Sequence, residues 1–261
     1  MKIFGKSDIG KVRKANEDAF GIRKIADNAI LAVVCDGMGG LDFGDVASKL
    51  TLDTFSEVVS RLCASHISNG ILTLDDSEIE IIFNNAALVA NNRVLSKQEA
   101  LDATGGMGST LIAALIRDGG RLISWANVGD SRLYTVDHRD ILQVSKDHSY
   151  VQLMLDCGKM TLEESKKSKK RHLITKAIGL DDELYVPDVD TFPLSAEEIK
   201  DTKILLCSDG FSSGVSEEEC MEISLDTSLS AEERLDKLIN LAKTNDGSDN
   251  ITLIFIDLNE A

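Results

Sequence analysis

The chain has 261 residues, 43% of them apolar and 28% charged, with 44 acidic against 28 basic side chains and a net charge of −16. That composition is ordinary for a globular protein, long enough to bury a sizeable core and too apolar for a disordered one. The acidic balance argues against nucleic acid as the main partner, because affinity for a phosphate backbone depends on Lys and Arg. Only two prolines and no low-complexity linker are present, which points to a single domain over residues 1–261. The five cysteines (Cys35, Cys63, Cys157, Cys207 and Cys220) are odd in number and form no CxxC pair, so reduced thiols in a cytoplasmic protein are expected; the chain is also expected to be a monomer. The first residues carry no signal-peptide core, and no run approaches the roughly 20 apolar residues of a membrane span.

In chain order, residues 2–7 and 18–24 read as short strands around a polar connection, 10–18. Ala29–Cys35 is an apolar run with β-branched Val33 and Val34, a buried strand that ends abruptly at Asp36-Gly37-Met38-Gly39-Gly40. Asp45–Ser65 and the stretch from Ile79 to Val94 have helical spacing, the second with Ser77 and Glu80 as a capping box. The period then shortens. Ser109–Ile116 and Arg121–Val128 flank the turn signal Asp118-Gly119-Gly120, and Ser131–Val136 and Ile141–Val144 continue the pattern as an antiparallel meander. The polar stretch from Asp147 to Arg171 has short helical signals around Val151–Leu155 and a capping box at Thr161 and Glu164. Ile174–Ile178, Lys203–Ser208 and Ile251–Asp257 read as strands. Ser216/Glu219 and Ser230/Glu233 cap two late helices. About ten strands with segregated helices give an α+β class, stacked antiparallel sheets covered by helices.

One echo runs through the chain. Val33-Val34-Cys35-Asp36-Gly37 and Leu205-Leu206-Cys207-Ser208-Asp209-Gly210 are both buried strands that terminate in Asp-Gly. Asp130 follows another apolar run through Gly129, and Asp249 precedes Ile251–Ile256. Aspartates commonly start turns after strands, and each of these alone can be read that way. Together, and with Glu17 and Asp18, they can instead converge at one sheet edge. Like charges so packed demand cations, and oxygen donors without nearby Cys or His select Mg²⁺ or Mn²⁺. Arg13, close in sequence to Glu17, is either a surface arginine or a bidentate phosphate clamp.

Arg13-Lys14-Ala15-Asn16-Glu17-Asp18-Ala19, Cys35-Asp36-Gly37-Met38-Gly39-Gly40, Gly108-Ser109-Thr110-Leu111, Ala126-Asn127-Val128-Gly129-Asp130-Ser131-Arg132, Asp147-His148-Ser149, Lys176-Ala177-Ile178-Gly179, Cys207-Ser208-Asp209-Gly210 and Asp249-Asn250-Ile251-Thr252 occur in one order along the chain. In that order and spacing they resemble the metal-dependent protein phosphatases, the type 2C serine/threonine phosphatase family, and its compact bacterial members above all. The resemblance implies a four-layer αββα sandwich, two antiparallel sheets flanked by pairs of helices, with a flap at about 146–180 near the metals. It implies two Mn²⁺ or Mg²⁺ ions, with a third in bacterial relatives, held by Glu17, Asp36, Gly37 (through its carbonyl), Asp130, Asp209 and Asp249. Asp36 would bridge the pair. Arg13, Asp18 and Asp36 would be the catalytic set, with Arg13 binding the phosphate. The implied reaction is attack of hydroxide bridging the binuclear centre on phosphoserine or phosphothreonine of protein substrates, in signal transduction, without a phosphoenzyme.

Animal members place a histidine just after Asp-Gly, whereas this chain has Met38 there. None of its four histidines is adjacent in sequence to the Asp36 loop, so protonation of the leaving group is expected to come from metal-bound water, and an acidic limb of the pH–rate profile removed by His148→Ala would overturn this. Gly210-Phe211-Ser212-Ser213-Gly214 matches a nucleophile elbow, but no histidine follows it in the chain. Gly105–Thr110 lacks the lysine of a P-loop. The cationic run Lys166-Lys167-Ser168-Lys169-Lys170-Arg171 is either a solvated face or a docking surface for acidic phosphoproteins. Two further readings compete with the enzyme: a non-catalytic phosphoprotein-binding regulator of the same fold, and a small-molecule phosphohydrolase.

Overall fold

The computed structural model describes residues 1–39, 43–103, 106–180 and 187–259; Gly40 and Gly105 of the motifs above lie outside them. The chain opens with strands β1 (Lys2–Asp8), β2 (Asp18–Ala26) and β3 (Ala29–Gly39), then helix α1 (Gly44–Ala64). A small hairpin of β4 (Ile67–Ser68) and β5 (Ile71–Leu72) leads to α2 (Asp76–Ala100). The middle of the chain supplies β6 (Met107–Ser109), β7 (Leu111–Arg117), β8 (Leu122–Val128), β9 (Arg132–Val136) and β10 (Ile141–Gln143). After the short helices α3 (Tyr150–Asp156) and α4 (Leu162–Lys167) come β11 (Asp188–Pro193), α5 (Glu198–Asp201) and β12 (Lys203–Cys207). Helices α6 (Asp209–Gly214), α7 (Glu217–Ser224) and α8 (Ala231–Asn245) precede β13 (Ile251–Asp257).

One sheet has the order β1-β13-β12-β9-β10 and the other β11-β8-β7-β3-β2, with β6 pairing the far end of β3. All these pairings are antiparallel. Helices α1 and α2 cover the second sheet and α8 covers the first. Side-chain alternation explains the stacking. In β3, Leu31, Val33 and Cys35 join the core under α1 and α2, while Ala32 and Val34 face the other sheet. In β13, Leu253 and Phe255 pack toward α8, while Ile254 and Ile256 fill the space between sheets. Both faces of these strands are buried, so they read as unbroken apolar runs. The α+β expectation, four layers in the order αββα, holds.

Three local expectations fail for identifiable reasons. The central strands do not form one meander: β7–β8 and β9–β10 are hairpins in different sheets. Gly129, at φ +112, turns the chain from one sheet to the other, a conformation that glycine adopts without the strain a side chain would bring. The box that starts α2 is Asp75 with Glu78, not Ser77 with Glu80; the Ser77 hydroxyl instead donates to Asp75. Ile174–Ile178 is no strand, because only its two ends pair, Ile174 with Ser149 and Ile178 with Ser109. The boxes at Thr161/Glu164, Ser216/Glu219 and Ser230/Glu233 are present, each stabilising its helix by about 1 kcal/mol.

Candidate active site

The sandwich brings six strand ends to one edge. Asp18 opens β2 and stands directly opposite Asp36 on β3, a cross-strand pairing of like charges that is unfavourable in the absence of a cation. At this point β3 leaves β7 and takes β6 as its partner, with Thr110 in the gap. The Asp36 amide donates to Thr110 Oγ1 at 2.8 Å, and the Thr110 amide returns a bond to the Asp36 carbonyl. From the other sheet come Asp209, in the first turn of α6 after β12, and Asp249, just before β13. Asp130 arrives on the Gly129 crossing between β8 and β9.

Electrostatics at this edge are strained. Burial, followed by repulsion from Asp18, Asp209, Asp130 and Asp249, lifts the Asp36 carboxyl well above the usual carboxylate range. Burial also pushes Asp18 and Asp130 up to about 7, and it raises Asp209, where Asp249 adds to the effect. Asp36 and Asp209 are close enough for each to act on the other's titration, a crowding of like charges that favours protonation or a bound cation. Asp18 accepts from the Ser208 hydroxyl at 2.8 Å through Oδ2, while its buried Oδ1 has no partner. A buried carboxylate oxygen without a donor is costly. The donor set is oxygen throughout and fits hard divalent cations. Among the described residues no three His, Cys, Asp or Glu groups already form a closed cage, and Arg13 occupies Asp249.

Glu17 and Gly37 belong to the same wall. The Gly37 amide donates to the Glu17 carbonyl at 3.1 Å. A Cβ on Gly37 would sit 2.1 Å from the Gly44 carbonyl oxygen and 2.6 Å from that of Glu17, so only glycine allows the start of α1 to approach. Burial raises Glu17 above the usual carboxylate range, opposed by Arg13 and by the Gly44 amide. Arg13 lies further out, its side chain 48% exposed against 33% for Asp249 and 27% for Asp209. The pocket therefore deepens from a guanidinium at the mouth to a carboxylate floor.

Beside the floor runs a cleft of about 520 Å³ between Asp130, Asp209 and Asp246 on one side and Leu155, Leu162 and Arg171 on the other. The segment 146–180 forms that second wall. His172 from this wall reaches to 3.9 Å from Asp209 through Nδ1, while its Nε2 accepts from Arg171 Nε at 2.8 Å. His148, in contrast, is buried, and burial lowers its pKa. Lys170 lies over the Tyr150 ring at 4.6 Å, and Lys166 is 3.8 Å from Glu163. Met38 sits opposite Gly108 in the β3–β6 pairing. The serine of the elbow-like stretch, Ser212, lies within α6 and donates to the Asp209 carbonyl at 3.2 Å.

Sequence reasoning missed the residues that hold the carboxylates in place. Asn250 accepts from the Glu17 amide at 2.8 Å and donates to the carbonyls of Ile9 and Ala15, both at 3.0 Å, which fastens the whole Arg13 loop. Thr110 and Ser131 share a 2.6 Å hydrogen bond beneath Asp36 and Asp130. Asn250 had a signal in the Asp249-Asn250 pair; Thr110 and Ser131 looked like ordinary strand residues.

The family model described as protein phosphatase 2C matches residues 5–251. The chain belongs to the protein phosphatase 2C family. A serine/threonine phosphatase Stp from Listeria welshimeri is 33% identical over 97% of this chain and 94% of its own. The solved serine/threonine phosphatase of Streptococcus agalactiae superposes with a TM-score of 0.82 at 27% identity, covering 97% of this chain and 98% of that one. The Mycobacterium tuberculosis serine/threonine phosphatase PstP gives a TM-score of 0.81 at 28% identity over 99% of both chains. This member of the protein phosphatase 2C family thus shares the fold of those enzymes over nearly its full length.

Proposed function

We infer that this protein is a metal-dependent serine/threonine protein phosphatase, a hydrolase that works at the carboxylate edge of its sandwich. The observation that carries the reading is the convergence of Asp18, Asp36, Asp130 and Asp209 on a buried floor with Arg13 at its mouth. Mn²⁺ or Mg²⁺ would be held by Asp36, the Gly37 carbonyl, Asp209 and Asp249, with Glu17 and Asp18 direct or through water and Asp130 at a third position. Such ions supply Lewis-acid activation of water and charge neutralisation at phosphorus. Arg13 grips two phosphate oxygens, which fixes the ester for in-line displacement without a phosphoenzyme. Asp18 faces Asp36 from the opposite strand, and Ser208 orients Asp18. The cleft beside Asp209 takes the chain that flanks the phosphorylated residue.

Residues 1–261 act as one catalytic domain, with 146–180 as its flap. The substrates are phosphoproteins of a serine/threonine kinase, met by a monomer in the cytoplasm. Among the described residues no helix is long and apolar enough to cross a membrane, and the net charge of −16 disfavours nucleic acid. Intact Arg13, Asp36, Asp130, Asp209 and Asp249 favour the enzyme over a regulator that only binds phosphoproteins. Incubation with Mn²⁺ and a phosphothreonine peptide, in parallel with ATP and a sugar phosphate, tests the substrate class. Release of phosphate from the peptide alone is expected. Turnover of only the small phosphates would make the protein a small-molecule phosphohydrolase, and tight peptide binding without release would make it a regulator.

A further inference from the structure

His148 forms a reciprocal pair with the Gly129 crossing. Its main-chain amide donates to the Gly129 carbonyl at 2.8 Å, and the Gly129 amide donates to His148 Nδ1 at 3.1 Å. The second bond makes Nδ1 an acceptor, so the neutral ring carries its proton on Nε2. That nitrogen faces Asp188 Oδ2 on β11 at 3.2 Å, without the alignment of a good hydrogen bond. The His148 carbonyl accepts from the Thr175 amide at 2.8 Å, and the next residue, Ser149, bridges Ile174. The His148 side chain therefore links the turn that carries Asp130 to the start of β11, while main-chain bonds of His148 and Ser149 join the two sides of the flap base.

The turn has little freedom of its own. A Cβ on Gly129 would meet Thr110 Cγ2 at 2.6 Å, and Thr110 is the residue that binds the Asp36 amide and the Ser131 hydroxyl. Displacing Gly129 moves Asp130 relative to Asp36. Asp147, just before His148, is fixed independently by Arg132, with Nε at 2.9 Å from Oδ1 and Nη2 at 2.7 Å from Oδ2. The flap base is thus anchored on the strand that follows Asp130, and His148 closes the loop on the strand that precedes it.

We propose that His148 is a positioning residue that sets the cation affinity of Asp130 by holding the Gly129 amide through Nδ1, rather than a proton donor in the reaction. The proposal rests on Asp130 being a cation ligand, as argued above. Outer partners of ligand groups commonly change metal affinity by about 10–100-fold. The amide of asparagine places its oxygen where Nδ1 of histidine lies, whereas glutamine reaches the Nε2 position. His148→Asn keeps the acceptor for Gly129; His148→Gln and His148→Ala remove it.

Mn²⁺ titration calorimetry on the full-length protein, with Asp130→Ala as reference, tests the idea independently of catalysis. Wild type should lose its weakest Mn²⁺ step in Asp130→Ala. The same step should weaken by at least about tenfold in His148→Gln and His148→Ala, and stay within about threefold of wild type in His148→Asn. The pH–rate profile of His148→Asn should keep the wild-type shape, and thermal melts in EDTA should place all three variants in a folded baseline. Unchanged Mn²⁺ binding in His148→Ala, an asparagine variant as impaired as alanine, or loss of a pH limb in His148→Asn each overturns the proposal. An Mn²⁺ isotherm that Asp130→Ala leaves unaltered overturns the metal reading of Asp130 itself, and the positioning role with it.

Discussion

Arg13 Nη2 lies 2.6 Å from Asp249 Oδ2, so the guanidinium expected to receive phosphate rests on a carboxylate expected to receive a cation. The pairing raises the affinity of Arg13 for its proton. It also sets up a competition, because a cation at Asp249 must displace Arg13, and the displaced fork then points to the open mouth of the pocket. Arg13→Ala should therefore separate two effects. The kcat/KM for a phosphothreonine peptide should fall by about 100-fold, mainly through KM, as a charge-assisted bidentate contact is lost. Mn²⁺ binding measured by calorimetry should stay equal or tighten. A loss of Mn²⁺ affinity in this variant would mean that Arg13 organises Asp249 instead of competing for it.

The metal-free protein should be destabilised by alkali in an unusual range. Asp18 and Asp130 have folded-state pKa values near 7 against 3.8 for an ordinary aspartate. Groups raised in this way bind protons preferentially in the folded state, so their stabilising effect is complete below the unfolded value and is lost as pH rises through the folded one. Thermal melts in EDTA should show Tm falling between about pH 4 and about pH 7 and levelling above it. Carboxylates held low, such as Asp257 beside Arg234 and Lys203, act only at more acid pH. In Asp130→Asn the fall should be shallower. With saturating Mn²⁺ the slope should reverse, because the ions compete with protons for the same oxygens. A Tm that rises from pH 4 to 7 in EDTA would contradict the carboxylate repulsion read here.

Gly37→Ala tests the close approach of α1 to the pocket. The added methyl would lie 2.1 Å from the Gly44 carbonyl oxygen, backbone that cannot move aside as a flexible side chain would. Overpacking of this kind costs about 1–3 kcal/mol, and turnover should drop by about 100-fold, because misplacing a reacting geometry by ~1 Å has that effect. Circular dichroism and melting would establish that the variant is folded. Wild-type turnover in a folded Gly37→Ala would remove Gly37 from the site.

The four-layer count came from the family resemblance. Stacked sheets covered by helices were legible because the core strands bury both faces and so read as uninterrupted apolar runs, several with an aspartate beside their ends. Asp36, Asp209 and Asp249 could be singled out on that ground. Strand β11 could not, since Asp188, Asp190, Thr191 and Pro193 leave little apolar pattern, and only its pairing with β8 makes it a strand. The crossing at Gly129 was equally hidden: a hairpin and a jump between sheets use the same turn residues. Proximity of His172 to Asp209, and of His148 to Gly129, arises from the path of the flap through space, which sequence spacing does not encode. The box at Asp75 was missed for a simpler reason, as Asp75/Glu78 and Ser77/Glu80 compete on equal terms two residues apart.

The cations of the flap give a prediction about substrates. Lys169, Lys170 and Arg171 are exposed, and Arg171 lines the cleft that holds Asp209. Replacing all three with serine should lower kcat/KM for acidic phosphopeptides several-fold at low salt and leave neutral phosphopeptides nearly unaffected. The difference should vanish at high ionic strength, where exposed charges are screened over about 3 Å at 1 M salt. Equal kcat/KM for acidic peptides across salt concentrations would assign the cluster to a solvated face.

Phosphate release from a phosphothreonine peptide, followed in Mn²⁺, in EDTA and with Asp36→Asn and Asp209→Ala, tests the carboxylate edge as the catalytic centre most directly. Turnover should require Mn²⁺, vanish in EDTA, return on re-addition of the metal, and fall by at least about 1,000-fold in both variants. Turnover that survives EDTA, or that persists in Asp36→Asn at the wild-type rate, would place the chemistry elsewhere in the molecule.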